Sequence, residues 1–184
     1  MVKLGIKELD NIISPYKIVE LEADWSNHIL ELADIIFRLA RQGQVHILFV
    51  NSSKYIDIDK FYLDLEPFIE DIGDIKIYWA KNIETLAYHL LLTPKTKKGS
   101  IIVILPYRRD LVSQIENTYT PRLKHSLQIA ADKGWSIIIV NPLMSEGVIN
   151  NYLGEISLRI RFGERINYVE ILNRAIMEKP MKIF

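Results

Sequence analysis

Basic side chains are concentrated in one part of the sequence, and they are the residues best suited to binding another molecule. Residues 95–124 carry seven basic and only two acidic side chains, although the whole chain has 23 of each kind. The basic members are Lys95, Lys97, Lys98, Arg108, Arg109, Arg122 and Lys124. Such a stretch is suited to binding a polyanion, and a solvated helix face with incidental charge explains it equally well.

The segment after the first predicted strand is where an open α/β sheet would hold a phosphate group. A phosphate loop needs glycines, whose backbone N–H groups wrap the anion, a lysine for the phosphates and a serine or threonine for magnesium. Residues 22–30 contain no glycine and no lysine. They do contain two carboxylates, Glu22 and Asp24, and a carboxylate in this place repels phosphate. We therefore expect no Mg–ATP site here.

Catalytic and metal-binding groups are equally scarce elsewhere. The chain has no cysteine, and its four histidines form no helical metal-binding pair. The later predicted strands are followed by asparagine, serine and proline residues, which offer no carboxylate or imidazole for proton transfer. Asp57, Asp59 and Asp64 lack the glycine and closing glutamate of a calcium loop, so we interpret them as solvated carboxylates at a helix start. The sequence predicts no enzyme activity, no metal and no cofactor.

The elements that position these residues alternate between strands and helices. Apolar runs predict strands at 17–21, 45–50, 75–80, 101–105 and 135–140, and three- and four-residue spacing predicts helices at 25–43, 57–71, 82–92 and 110–133. Two β-prone runs surround Gly163 and Glu164, which is typical of a hairpin turn. We therefore expect one α/β domain, residues 1–184, with a central, mostly parallel sheet and a C-terminal antiparallel hairpin.

The overall composition excludes several classes of protein. The net charge is zero, which argues against a histone-like binder of any polyanion. No apolar run approaches the roughly 18 residues that span a bilayer. The first ten residues are too polar for a signal peptide, so we expect a cytoplasmic protein with no membrane partner.

Several short motifs resemble one protein family. Residues 5–13, GIKELDNII, resemble the "TGIKxLDxLLGGG" entry to the ATPase core of the archaeal RadA/RecA recombinase family and its KaiC-like relatives. Three further segments follow in the same order as in the family. Residues 49–53 occupy the position of the family's "YIDTE" motif, residues 101–105 that of its "LVIVD" strand and residues 139–144 that of its "VTNQVM" motif. Residues 159–184 are similar to its closing hairpin and last strand. The resemblance implies a RecA-like three-layer α/β/α fold.

The departures from the family pattern all fall on its nucleotide site. By a gap-free placement, Ile29 and Leu30 replace the phosphate-loop lysine and threonine. Ser53 replaces the catalytic glutamate, Leu105 the magnesium-linked aspartate and Pro142 the phosphate-sensing glutamine. The resemblance therefore implies a pseudo-ATPase with a dead nucleotide site. Because Ile29 and Leu30 are apolar, we expect them to pack the vacated phosphate space shut; the alternative is that this space holds another ligand. The resemblance also implies that the family's N-terminal DNA-binding domain and filament-forming linker are missing.

At the positions of the family's DNA-binding surface, this chain has residues that are suited to binding DNA. Two recombinase loops face nucleic acid, and the one after residues 101–105 reads Tyr107-Arg108-Arg109 here. An aromatic ring beside two guanidinium groups can stack on a base and contact phosphates. To the same surface we assign Lys97, Lys98, Arg122 and Lys124. A loop that docks on an acidic patch of another protein is an equally good interpretation.

These observations lead to two expected functions. The first is a non-catalytic paralogue that acts as an accessory or mediator in homologous recombination and DNA repair, binding single-stranded DNA, a recombinase or a sister paralogue. The alternative is an inactive interaction subunit of a RecA/KaiC-like ATPase complex without a DNA role. Either protein could form homo- or hetero-oligomers. The family likeness, with 30 isoleucines, favours an archaeal thermophile as the source.

Overall fold

The structure is a computed structural model that describes residues 10–11, 17–22, 29–50, 75–104, 120–141, 157–162, 168–171 and 181–182. These residues form eight strands and three helices. The strands are β1 Ile18–Glu22, β2 Gln44–Val50, β3 Ile75–Ala80, β4 Gly99–Ile104, β5 Trp135–Asn141, β6 Ser157–Phe162, β7 Tyr168–Ile171 and β8 Met181–Lys182. The helices are α1 Ile29–Ala40, α2 Ile83–Leu92 and α3 Thr120–Asp132. The helix predicted at 57–71 and the predicted helical residues 110–119 lie outside the described residues.

The strands form one sheet in the order β3-β2-β4-β5-β1-β6-β7-β8. Every pair from β3 to β6 is parallel, whereas β6 pairs with β7, and β7 with β8, in the antiparallel sense. The prediction of an α/β chain with a mostly parallel sheet is confirmed. The turn predicted at Gly163 and Glu164 lies outside the described residues.

Helices cover both faces of this sheet. Leu48 and Val50 of β2 share one buried cluster with Leu86 and Leu90 of α2 and Leu127 of α3. Helix α1 contacts the same strand, yet none of its buried residues belongs to that cluster. Because successive residues of a strand face opposite sides, α1 covers the other face. Full burial of one leucine or isoleucine side chain contributes about 1.5–3 kcal/mol, so the two-sided packing stabilises the sheet.

The apolar runs of the sequence explain why the central strands lie inside. In β2, β4 and β5 nearly every described side chain is buried, including both faces of each strand. Such strands must be covered on both sides, which is typical of parallel sheets. Among the described residues, no helix is long and apolar enough to cross a lipid bilayer.

Helix α2 begins at a well-defined cap. The Asn82 side chain accepts hydrogen bonds from the backbone N–H of Thr85 at 2.8 Å and from its hydroxyl at 2.9 Å. The helix ends at Thr93, whose hydroxyl donates to the Leu90 carbonyl, and Pro94 follows. A proline directly after the cap cannot continue the helix.

Candidate functional site

The parallel strands bring the segments predicted to carry the site to one edge of the sheet. Val50 of β2 is in register with Ala80 of β3, and Ile104 of β4 with Val140 of β5. Glu22, at the end of β1, is in register with Asn141 of β5. We call this the carboxyl edge, because the carboxyl ends of β1 to β5 all meet there. Ligands of open α/β sheets bind outside this edge.

Few of the residues assigned to the degenerate nucleotide site are among those described. Glu22 is the last residue of β1, and Ile29 and Leu30 are the first two residues of α1. The other members, Asp24, Ser53, Leu105 and Pro142, lie outside the described residues. Leu105 directly follows β4, and Pro142 directly follows β5.

The side chain of Leu30 corrects one expectation. It was predicted to fill the vacated phosphate space, but it is 70% exposed to solvent. An apolar side chain at this level of exposure gains little from burial, so Leu30 does not close a cavity. The face of α1 that is buried instead consists of Leu32, Ala33, Ile35, Ile36 and Leu39.

Two of the basic residues lie at the start of α3. Arg122 and Lys124 are both exposed, and Arg122 Nη1 lies 3.5 Å from Glu84 Oε1 of α2. Both side chains of this pair are at least half exposed, so the contact contributes about 0–1 kcal/mol. Such a weak pair leaves the Arg122 guanidinium available to a competing anion. Tyr107, Arg108 and Arg109 lie outside the described residues.

Lys97 and Lys98 lie at the opposite edge of the sheet. They immediately precede β4, whose first residue is Gly99, whereas the Tyr107–Arg109 segment follows the far end of that strand. Six strand residues at about 3.3 Å each separate Lys98 from the carboxyl edge. The end of α3 lies beside the lysine loop, because the Thr96 N–H donates to the Lys133 carbonyl. Arg122 and Lys124 are in the first turns of that helix, roughly 13–17 Å away at 1.5 Å per residue, so Lys97 and Lys98 do not join them in one surface. We call the position of Lys97 and Lys98 the amino edge.

The loop that carries these lysines, residues 93–98, is tightly held. Trp135 Nε1 donates to the Pro94 carbonyl at 2.8 Å, and the Thr96 N–H donates to the Lys133 carbonyl at 2.9 Å. The Lys133 ammonium donates to the carbonyls of Leu91 and Thr93 at 2.6 and 2.8 Å. These bonds satisfy carbonyls at the end of α2 and fix the loop against β5.

Close backbone approaches fix the same loop from two sides. A Cβ on Gly134, which has φ +97°, would lie 2.2 Å from the Thr96 carbonyl oxygen. A Cβ on Gly43 would lie 2.4 Å from the Lys98 carbonyl oxygen. Only glycine fits at either position without moving the loop. The turn after α1 and the turn after α3 therefore clamp residues 93–98 between them.

Sequence reasoning missed a charged residue in the middle of β1. The side chain of Glu20 is wholly buried, and Glu20 is in register with Ile139 on one side and Arg159 on the other. Glu22 is in register with Arg161 in the same way. The signal was present in the sequence, because two glutamates and two arginines repeat at the same two-residue spacing. A buried carboxylate requires a hydrogen-bonding or charged partner.

Comparisons with known proteins add no identification. No protein-family model matches the sequence, and a search of curated proteins finds no match. Within the residues that the structure describes, no three His, Asp or Glu side chains are grouped as metal ligands.

Proposed function

We propose that this chain is a non-catalytic relative of the RecA/RadA recombinase cores that binds single-stranded DNA, a recombinase or both. It would act as an accessory or mediator in homologous recombination and DNA repair. The proposal rests on the motif resemblance together with one structural observation. The strands that carry the matched motifs, β1, β2, β4 and β5, all end at the carboxyl edge.

This shared edge matters because the family's nucleotide site draws one motif from each strand end. The phosphate loop follows the first strand, and the glutamate, aspartate and glutamine motifs follow the others. In this chain Ile29 and Leu30 open the helix after β1, where the resemblance places the phosphate-loop lysine and threonine. An aliphatic pair neutralises no phosphate and holds no magnesium. A pseudo-ATPase is therefore the form of the family that these residues support.

The DNA-binding part of the proposal uses the same edge. Helix α3 runs towards the amino edge, since Lys133 and Gly134 connect it to the start of β5. Its first turns, with Arg122 and Lys124, therefore lie towards the carboxyl edge, as does Glu84 at the start of α2. In the sequence two residues separate the Tyr107–Arg109 segment from the end of β4, and we assign this segment to the same DNA-binding surface. Together these cations would contact phosphates, and Tyr107 would stack on a base.

The test is fluorescence anisotropy of a labelled single-stranded oligonucleotide, measured at two salt concentrations without nucleotide. We expect micromolar or tighter binding that weakens with salt. Each phosphate contact contributes about −0.7 to the log–log salt slope, so Arg108→Ala with Arg109→Ala should flatten it by about 1.4. Lys97→Ala with Lys98→Ala is the matched control, because it removes the same charge at the amino edge.

Three outcomes separate the possibilities. Loss of affinity in the arginine variant alone supports the proposed surface. Equal losses in both variants would indicate general electrostatic attraction and would remove the specific site. Absence of binding at low salt would contradict the DNA role, and the inactive-subunit function would then be the better candidate. That candidate is favoured by an exposed apolar face on α2, and a stable complex with a RecA/KaiC-like ATPase would support it.

A further inference from the structure

We propose that the end of α2 and the clamped loop after it form a docking surface for an acidic, amphipathic segment of another protein. The surface consists of Tyr88, Leu91 and Leu92 on α2 and of Lys95, Lys97 and Lys98 in the loop. It lies at the amino edge, away from the surface proposed for DNA. The inference therefore stands or falls independently of the DNA-binding proposal.

The apolar half of the surface is a continuous stripe on one side of α2. Tyr88, Leu91 and Leu92 occur at three- and four-residue spacing, and they are 61, 38 and 62% exposed. The opposite side of the helix, with Ile83, Leu86 and Leu90, is buried in the core. Single exposed apolar residues are ordinary, but adjacent ones mark places where another molecule binds.

The basic half of the surface begins three residues after the stripe. Lys95, Lys97 and Lys98 are all exposed, and among the described residues no carboxylate forms an ion pair with any of them. The cations that neighbour the loop are already used, because Lys133 binds backbone carbonyls and Lys17 pairs with Asp132. The three ammonium groups together give this loop a positive charge, which favours an anionic partner.

The clamp around the loop makes this surface ready to bind. The hydrogen bonds from Trp135 and Lys133 and the close approaches at Gly43 and Gly134 hold the lysine backbone in place. Because the backbone of the loop is already ordered, binding of a partner loses little conformational entropy there, and the affinity for the partner is higher.

The pairing of aliphatic side chains with lysines favours a peptide over a nucleic acid. Tyr88 could stack on one base, but Leu91 and Leu92 offer no stacking partner, whereas leucines or phenylalanines of a peptide helix would pack against all three side chains. An amphipathic helix that binds such a surface uses apolar anchors at the same three- and four-residue spacing. Acidic residues beside those anchors would reach the loop lysines.

The experiment uses a fluorescein-labelled peptide of glutamate and leucine, with the leucines at helical spacing, titrated with the intact chain. One control peptide has serine in place of leucine, and a second has lysine in place of glutamate. We expect the Glu/Leu peptide to bind best, and its affinity to fall with salt. Lys95→Glu, Lys97→Glu and Lys98→Glu together should weaken binding by about tenfold or more. Tyr88→Gln with Leu92→Gln should weaken it by a similar factor.

Matched control variants distinguish binding at this surface from nonspecific binding of the peptide. Leu30→Gln removes an exposed leucine on the other face of the sheet, and Lys124→Glu reverses an exposed lysine at the far end of α3. Neither should change peptide binding, and all variants should keep the wild-type circular dichroism. No binding by the wild type, or equal binding by wild type and variants, would overturn the proposal. Binding of oligo(dT) that depends on the loop lysines and is tighter than binding of the Glu/Leu peptide would also overturn it, in favour of nucleic acid.

Discussion

Glu20 of β1 and Arg159 of β6 occupy the same register position on adjacent parallel strands, and the Glu20 side chain is wholly buried. Glu22 and Arg161 are in register in the same way, two residues further along each strand. Arg161 is also in register with Glu170 of β7. A shift of one residue between β1 and β6 would place both glutamates opposite apolar residues. We expect this pattern of opposite charges to favour the observed register of the C-terminal strands.

We expect Glu20 to be coupled to Arg159. If the Arg159 side chain is the partner of this buried carboxylate, Glu20→Leu alone should cost about 3–5 kcal/mol, because removing one member of a buried pair leaves the other uncompensated. Glu20→Leu combined with Arg159→Leu should recover most of that loss. Urea denaturation of the single and double variants measures the coupling directly. Additive losses would mean that the two residues act independently.

Gly134 should tolerate alanine less well than Gly43 does. Both substitutions press a Cβ against a carbonyl of the 93–98 loop, but only Gly134 has a positive φ. The left-handed backbone adds about 1–2 kcal/mol for a residue with a side chain. Thermal or urea unfolding of Gly134→Ala and Gly43→Ala gives the comparison, and equal costs would show that the φ angle contributes nothing.

Trp135 should contribute more to stability than its size alone explains. Its ring is buried, it lies 4.6 Å from the His46 ring, and its indole N–H donates to the Pro94 carbonyl. Trp135→Phe keeps most of the apolar contact but leaves that carbonyl without its donor, at a cost of about 1–3 kcal/mol. Trp79→Phe is the control, because Trp79 is 40% exposed and stacks on Phe49. A smaller loss for Trp135→Phe than for the control would contradict this account.

The ion pair between Lys17 and Asp132 should make a small, pH-dependent contribution. A hydrogen bond from Lys17, and a second from Gln128, lower the pKa of Asp132 below its ordinary value of 3.8. Because the pKa is lower in the folded state, the stabilisation is present above the unfolded-state pKa and is lost as the pH falls through the folded-state pKa. Asp132→Asn should therefore slightly lower the urea concentration at the unfolding midpoint at pH 7, and it should leave that midpoint unchanged at low pH. Lys17→Met should show the same pattern.

Glu84 should compete with DNA for Arg122. The two side chains are 3.5 Å apart, so removing the carboxylate frees the guanidinium for a phosphate. If the proposed DNA surface is correct, Glu84→Ala raises the affinity for single-stranded DNA by about two- to fivefold, and Arg122→Ala lowers it. In a protein that already carries Arg122→Ala, Glu84→Ala should raise the affinity for DNA much less, because it then removes only one distant negative charge. An unchanged effect would show that Glu84 acts without Arg122.

The central strands could be predicted from the sequence because their apolar runs are continuous. Residues 75–80 match the observed β3 at both ends, and residues 45–50 miss only the first residue of β2. Asn82, predicted as the start of a helix, is the cap of α2. These features depend on side chains within a few positions of one another.

The features that sequence reasoning missed depend on distant parts of the chain. Lys97 and Arg122 belong to one basic stretch of the sequence, but they lie towards opposite edges of the sheet. The burial of Glu20 does not show in its local sequence, because its register partners, Ile139 and Arg159, are far away along the chain. Leu30 was placed in a cavity by analogy with the family, whereas α1 buries a different face.

The sheet order has a consequence for how the protein is made. β1 is the first strand to leave the ribosome, but both of its neighbours, β5 and β6, are among the last, with roughly 120 residues between Ile18 and Ile137. At about 5–20 residues per second, β1 waits roughly 6–24 s for β5. During that time β2, β3 and β4 can pair with one another, and β1 cannot join them. Ile18, Val19 and Leu21, which are buried in the folded sheet, therefore stay without their strand partners in the nascent chain until β5 is made, and a chaperone could protect them during that time.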